Sequence, residues 1–189
     1  MNEQPIQNLR GKWAEGIVPR NFTWVMQDKM AICERLGGYG DHHRPVRRQE
    51  EIIWVLNNGF HHVISLIDGS ANLHNYDELK LPYLHRPLSK TDEFSIRLPE
   101  IYHEAEQRVD RGEKLLFHRN ELNDLVVGFV GGYIVWTGLV PDPPKAVVVT
   151  EQLLTRQLGP TARAMVTAVA KARAERDGLV AQEIDLGGE

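Results

Sequence analysis

The stretch Leu115–Val135, LLFHRNELNDLVVGFVGGYIV, constrains the fold more than any other part of the chain. An apolar run, Leu115–Phe117, stops at His118, and a mostly polar segment continues to Asp124. From Leu125 to Trp136 nearly every residue is then apolar. The first run fits a short buried strand, and a helix that is apolar on almost every face is buried centrally. The order is therefore strand, polar loop, buried helix. Gly128, Gly131 and Gly132 within that helix predict close helix–sheet packing. They are not a dinucleotide fingerprint, because no G-x-G-x-x-G follows a strand.

The rest of the chain supplies the partners such a strand and helix need. Phe22–Val25 and Met30–Cys33 are expected to be short strands. After the Gly-rich loop Gly37–Asp41, a helix from about Val46 to Leu56 should bury Ile52, Ile53 and Leu56, ending at Asn57-Asn58-Gly59. Val63–Ile67 and Tyr83–Leu88 are expected strands. Leu98, Ile101, Tyr102, Ala105 and Val109 recur at helical spacing until Gly112. Asp142-Pro143-Pro144 caps a helix whose inner face is Val147, Thr150, Leu153 and Leu154. Pro160 opens the last helix, with Ala162, Met165, Val166 and Val169 inward. Strands interspersed with helices make this an α/β layer fold with a central mixed or parallel sheet flanked by helices. Residues 1–18 are expected to be an N-terminal tail, 19–175 the folded domain, and 176–189 a C-terminal tail that frays.

Composition removes several function classes. The 189 residues suit one domain with a proper core, and 25% charged with 42% hydrophobic residues is ordinary for a globular protein. A net charge of −4 argues against a nucleic-acid binder. No apolar run reaches the roughly 20 residues of a membrane span. The N-terminus shows no export signal, and a single cysteine, Cys33, fits a reducing cytoplasm.

Five segments, in order, carry a family resemblance. Asn21-Phe22-Thr23-Trp24-Val25 with Lys29-Met30-Ala31 is similar to the opening of the small atypical dual-specificity, cysteine-dependent protein phosphatases. Asn58-Gly59-Phe60-His61-His62-Val63-Ile64-Ser65-Leu66 resembles their second central strand, and Tyr83-Leu84-His85-Arg86-Pro87-Leu88 the strand leading to the general acid. Arg111-Gly112-Glu113-Lys114-Leu115-Leu116-Phe117-His118 resembles the strand entering their active site. The fifth segment is the loop and buried helix after it. The matches run from about residue 20 to residue 165, and they imply the phosphotyrosine-phosphatase-like fold.

What the resemblance implies about chemistry is mostly loss. The family motif is His-Cys-x5-Arg-Thr/Ser, and laid on it without a gap His118 keeps the histidine. The nucleophile position is Arg119, the phosphate-gripping position Leu125, and the hydroxyl position Val126; Leu122 and Asp124 stand where loop glycines occur. A guanidinium stays protonated and cannot attack phosphorus. Leucine offers no donor to the equatorial oxygens. The general-acid position is Lys90, with Asp92 two residues further on. Glu121 and Asp124 oppose a dianion if they point inward, at about 4 kcal/mol per close pair in an intermediate dielectric. Pairing of these carboxylates with Arg119 and Lys90 would close the pocket with its own salt bridges.

The degenerate pocket is thus Lys90, Asp92, His118, Arg119, Asn120, Glu121 and Asp124, with no catalytic residue. Leu125 should turn into the core, and Asn123 or Asp124 should cap the helix that follows. His42, His43, Arg44, Arg47 and Arg48 form a basic patch, a solvated surface or a contact for an anion or an acidic partner. The pairs His42-His43 and His61-His62 diverge too far to hold a metal, so neither metal nor cofactor is expected. Cys33 should be a small buried hydrophobe. The resulting expectation is a pseudophosphatase that binds a partner protein. Two alternatives stay open: a sensor of a small anionic or phosphorylated ligand, or a divergent phosphatase with Asp92 as acid.

Overall fold

In the computed structural model the described residues are 15–70 and 73–186. Five strands form one sheet in the order β1-β2-β5-β3-β4. β1 (Thr23–Met26) pairs antiparallel with β2 (Met30–Glu34); β3 (His62–Ser65), β4 (Tyr83–His85) and β5 (Leu115–Arg119) complete a parallel set with β2. β5 is central, and all five of its residues are buried. That is why its sequence is a continuous apolar run rather than an alternation. The fold class is therefore the expected mixed α/β with a central sheet. β4 stops at His85, earlier than the anticipated Leu88, before Pro87, which has no N–H to give a sheet ladder.

The chain divides into two compact units that interleave in sequence. The first runs through His85 and adds Glu113–Glu121; it holds the sheet and helix α1 (Pro45–Asn57). One sheet face, with Ala31, Cys33, Val63 and Leu116, belongs to a core shared with Ile52 and Val55 of α1 and with Leu73 and Tyr76. Ile53 and Leu56 are only half-buried, while Arg48 and Glu51 are buried instead. Phe22, Trp24, Trp54 and Phe60 pack together at one end of this core, with Trp24 stacked on Phe60 at 5.5 Å. Residues 1–14 of the expected N-terminal tail lie outside the described residues. Ile17 donates its N–H to the Glu50 carbonyl, so 15–18 are tied to α1.

The second unit, Arg86–Gly112 with the chain from Leu122 on, is helical: α2 (Phe94–Asp110), α3 (Asp124–Trp136), α4 (Pro143–Leu154) and α5 (Pro160–Leu186). Every residue of α3 from Leu125 to Trp136 is buried. Its glycines admit helices. A Cβ at Gly128 would lie 2.7 Å from Ala162 Cα and 2.6 Å from Met165 Sδ of α5; one at Gly131 would meet Val166, and one at Gly132 the Tyr102 hydroxyl of α2. Close helix–helix packing within this unit, rather than the expected helix–sheet packing, is what these glycines serve here.

Asp142 caps α4 by accepting from the Lys145 N–H, and Ala162, Met165, Val166 and Val169 face inward as their spacing required. α5 continues to Leu186, so the segment from 176 expected to fray is helical for most of its length. Good helix formers and the i,i+4 pairs Lys171–Glu175 and Arg173–Asp177 carry it on. Among the described residues, no helix is long and apolar enough to cross a membrane.

Gly128→Ala should lower the melting temperature. Overpacking against backbone costs about 1–3 kcal/mol, against at most about 1 kcal/mol gained in helix propensity. Gly178→Ala, where a Cβ meets nothing within 4 Å, should instead stabilise by about 0.5–1 kcal/mol. Paired thermal denaturation of the two variants checks both signs.

Candidate functional site

Of the residues that the sequence singles out, the carboxyl edge of the parallel strands holds His118, Arg119, Asn120 and Glu121. Cys33, His118, Ser65 and His85 stand in one register row across β2, β5, β3 and β4. His118 is fully buried, with Nε2 3.3 Å from the Tyr76 hydroxyl. Burial, then the positive fields of Arg35 and His85, push its pKa down to about 3, so the ring is neutral. His85 places Nε2 2.8 Å from the Ile67 carbonyl. Cys33 is buried as expected, and burial together with Glu51 and Glu34 raises its thiol well above the ordinary range. It is an inert thiol.

Arg119 ends β5 and is only 8% exposed. Nη1 donates to the Leu66 carbonyl, and Nη2 donates to Asp68 Oδ2 at 2.8 Å. The guanidinium is thus held on the segment following β3. Asn120 Oδ1 accepts from Arg35 Nη1 at 3.4 Å, and Glu121 accepts from the Tyr39 hydroxyl at 2.5 Å. That last bond, the largest cause, raises the pKa of Tyr39.

Lys90, Asp92 and Asp124 belong to the helical unit. Lys90 is exposed. The Asp92 carboxylate accepts from the Ser89 N–H at 2.8 Å, closing its own turn. Asn123 caps α3, its Oδ1 accepting from the N–H groups of Leu125 and Val126. Asp124 does not share that task. Its two oxygens accept from Gly159 N–H at 2.7 Å and Ala162 N–H at 3.0 Å, so it caps α5. Leu125 is buried, as expected.

Both loop carboxylates are therefore satisfied, but not by Arg119 and Lys90 as anticipated. Asp68, on the segment following β3, takes Arg119. Tyr39 takes Glu121, and a helix start takes Asp124.

The basic patch is less of a surface than its sequence suggests. His42 and Arg44 are exposed, and Arg44 Nη1 donates to the carbonyls of Asp41 and His43. Arg47 pairs with the buried Glu51 at 2.7 Å, and Arg48 is itself buried with Nη1 3.0 Å from His43 Nε2. Burial first, then Arg48, Arg35 and Arg44, lowers the pKa of His43. No group of three or more His, Cys, Asp or Glu side chains among the described residues could hold a metal ion.

Sequence reasoning missed Tyr39, Asp68, Tyr76, Arg35 and Glu51. Only Glu51 carried a local signal, four residues after Arg47 on one helix face.

Asp124→Ala should lower stability by about 1–2 kcal/mol, since two α5 N–H groups lose their acceptor, with Asp124→Asn recovering part. His118 should make stability fall with acidification. The unfolded chain protonates this ring below about 6.5 and the native chain only near 3, so lowering the pH through that window favours unfolding. His118→Leu should flatten the pH dependence there by at most about 1.4 kcal/mol per pH unit. Denaturant titrations at pH 7, 5.5 and 4 measure the slope.

Sequence comparison with family models and with curated proteins returns no match. Solved structures do match in fold. The kinase associated phosphatase, with its catalytic cysteine substituted by serine, superposes with a TM-score of 0.63 at 14% identity, over 87% of this chain and 98% of that one. Tk-PTP in its active form gives 0.62 at 16% identity, over 82% and 97%. The human tyrosine phosphatase-like serine/threonine/tyrosine-interacting protein gives 0.61 at 12% identity, also over 82% and 97%. At these identities the likeness concerns the fold: this chain has the fold of the dual-specificity and tyrosine phosphatases.

Proposed function

We propose that the chain is a non-catalytic, phosphatase-like binding domain, a pseudophosphatase that acts through a protein partner in the cytoplasm. The observation that carries this reading is the use made of Arg119. At the position of the nucleophile stands a nearly buried guanidinium, engaged by the Leu66 carbonyl and the Asp68 carboxylate. Two further features agree. Leu125 is buried where the resemblance implies a phosphate-gripping arginine, and the N–H groups of Leu125 and Val126 are taken by the Asn123 side chain. One structural neighbour is itself described as a phosphatase-like interacting protein.

The two alternatives are less well supported. An anion sensor built on Arg119 would have to release the guanidinium from both acceptors. A divergent phosphatase using Asp92 would have to free a carboxylate that closes its own turn.

Purified protein should hydrolyse neither aryl phosphates nor phosphopeptides above a buffer control. The double substitution Arg119→Cys with Leu125→Arg should not restore activity, because Glu121 stays in the loop and Asn123 still occupies the α3 N–H groups. Steady-state assays of both proteins decide it. Turnover by the natural chain would overturn the non-catalytic reading, and robust activity of the double variant would show that the loop still cradles phosphate.

A further inference from the structure

A cavity of about 290 Å³ opens within the sheet unit, lined by Arg20, Glu34, Gly38, Tyr39, His42, Asn120 and Glu121. It sits where β2 and β5 end, and the carboxyl ends of parallel strands are where sheets of this class bind ligands. Its size is at the small end for a metabolite site.

The walls are held from behind. Glu34 is largely buried, accepts from Asn21 Nδ2 at 2.7 Å and pairs with Arg20 Nε at 3.8 Å; the Arg20 carbonyl accepts the Glu34 N–H. Gly37 and Gly38, both with positive φ, carry the loop to Tyr39, and the buried Glu51 carboxylate accepts the Gly37 N–H at 2.6 Å. A Cβ at Gly37 would lie 2.4 Å from Arg48 Cβ, so this wall admits no side chain there. Asn120 is oriented by Arg35 and Tyr39 by Glu121. These bonds orient the wall side chains ahead of any ligand.

The charges select the ligand. A simple anion would gain Arg20 and His42 but meet the carboxylates of Glu34 and Glu121; a simple cation would gain the carboxylates and meet Arg20. Either mismatch is unfavourable at close range. A small molecule carrying both signs satisfies both sets. We propose that this cavity binds an amino-acid-sized zwitterion, its carboxylate on Arg20 and His42 and its ammonium on the glutamates, with Asn120 and the Tyr39 hydroxyl as neutral partners. The proposal rests on the non-catalytic reading, since a phosphomonoester is not the ligand this arrangement favours.

Titration calorimetry with the free L-amino acids, alongside propionate, propylamine, inorganic phosphate and ribose, tests it. At least one amino acid should bind saturably, with propionate and propylamine about tenfold weaker or more. Arg20→Gln and Glu121→Gln should each weaken that binding about tenfold or more, as expected for loss of a charge-assisted bond. Gly178→Ala should leave it unchanged. Tyr39→Phe, which removes one hydroxyl, provides a milder variant should either charge change prevent folding, and it should weaken binding measurably.

Absence of binding by any amino acid, binding indifferent to these substitutions, or binding by phosphate or ribose alone would overturn the proposal. Aryl phosphate turnover by the natural chain would instead overturn the non-catalytic reading, whatever the titrations gave.

Discussion

A nearly buried guanidinium must be compensated, and the sheet unit is organised around that requirement at the end of β5. Removing a cation from water is costly unless acceptors replace its hydration. Arg119 obtains two, a carbonyl from Leu66 and a carboxylate from Asp68, both on the segment leaving β3. The Leu66 N–H in turn donates to the His118 carbonyl, so this segment is bound to β5 through backbone and side chain together. Asp68 is 61% exposed, and its attraction is screened by solvent. The Leu66 carbonyl belongs to a fully buried residue, away from competing water. The central strand thus ends in a guanidinium fixed by two acceptors on the neighbouring segment.

The helical unit solves a comparable problem with two adjacent residues. Each helix begins with N–H groups that have no partner within the helix. Asn123 supplies an acceptor for α3, and Asp124, one residue on, turns to supply two for α5. Arg156 adds a bond from the α4–α5 connection to the Leu122 carbonyl at 2.6 Å. A carboxylate that would repel an anion in a phosphate loop is here a cap, favoured by the positive end of α5.

What was legible in the sequence was local, and what was not depended on residues far apart in the chain. The apolar run at Leu115, the all-apolar α3, the Asp142 cap and the inward face of α5 are periodic or adjacent signals. The bonds that define the candidate site join Tyr39 to Glu121 across 82 positions, Arg119 to Asp68 across 51, and Asp124 to Ala162 across 38. No spacing rule reaches that far. The loop carboxylates could be recognised as needing partners, but the sequence offered Arg119 and Lys90, nearer along the motif, in place of the true ones. The glycines of α3 misled in a similar way. Their need for close approach was readable, but the identity of the neighbour was not. Buried Arg48 and Glu51 escaped because a charged helix face ordinarily reads as solvated.

The register row Cys33, His118, Ser65 and His85 could be mistaken for a catalytic constellation, having a thiol, two imidazoles and a hydroxyl on one sheet face. Burial decides against it. The same removal from water raises the Cys33 thiol and lowers the His118 imidazole, so both groups are driven to their neutral forms and the thiolate–imidazolium pair is the least favourable state. The Tyr76 hydroxyl, its pKa raised mainly by burial, is equally unreactive beside them. The cavity at the ends of β2 and β5 is lined instead by Arg20, Glu34, His42 and Glu121. The contrast is between an inner row that burial keeps neutral and an outer set, Arg20, Glu34 and Glu121, that carries both signs.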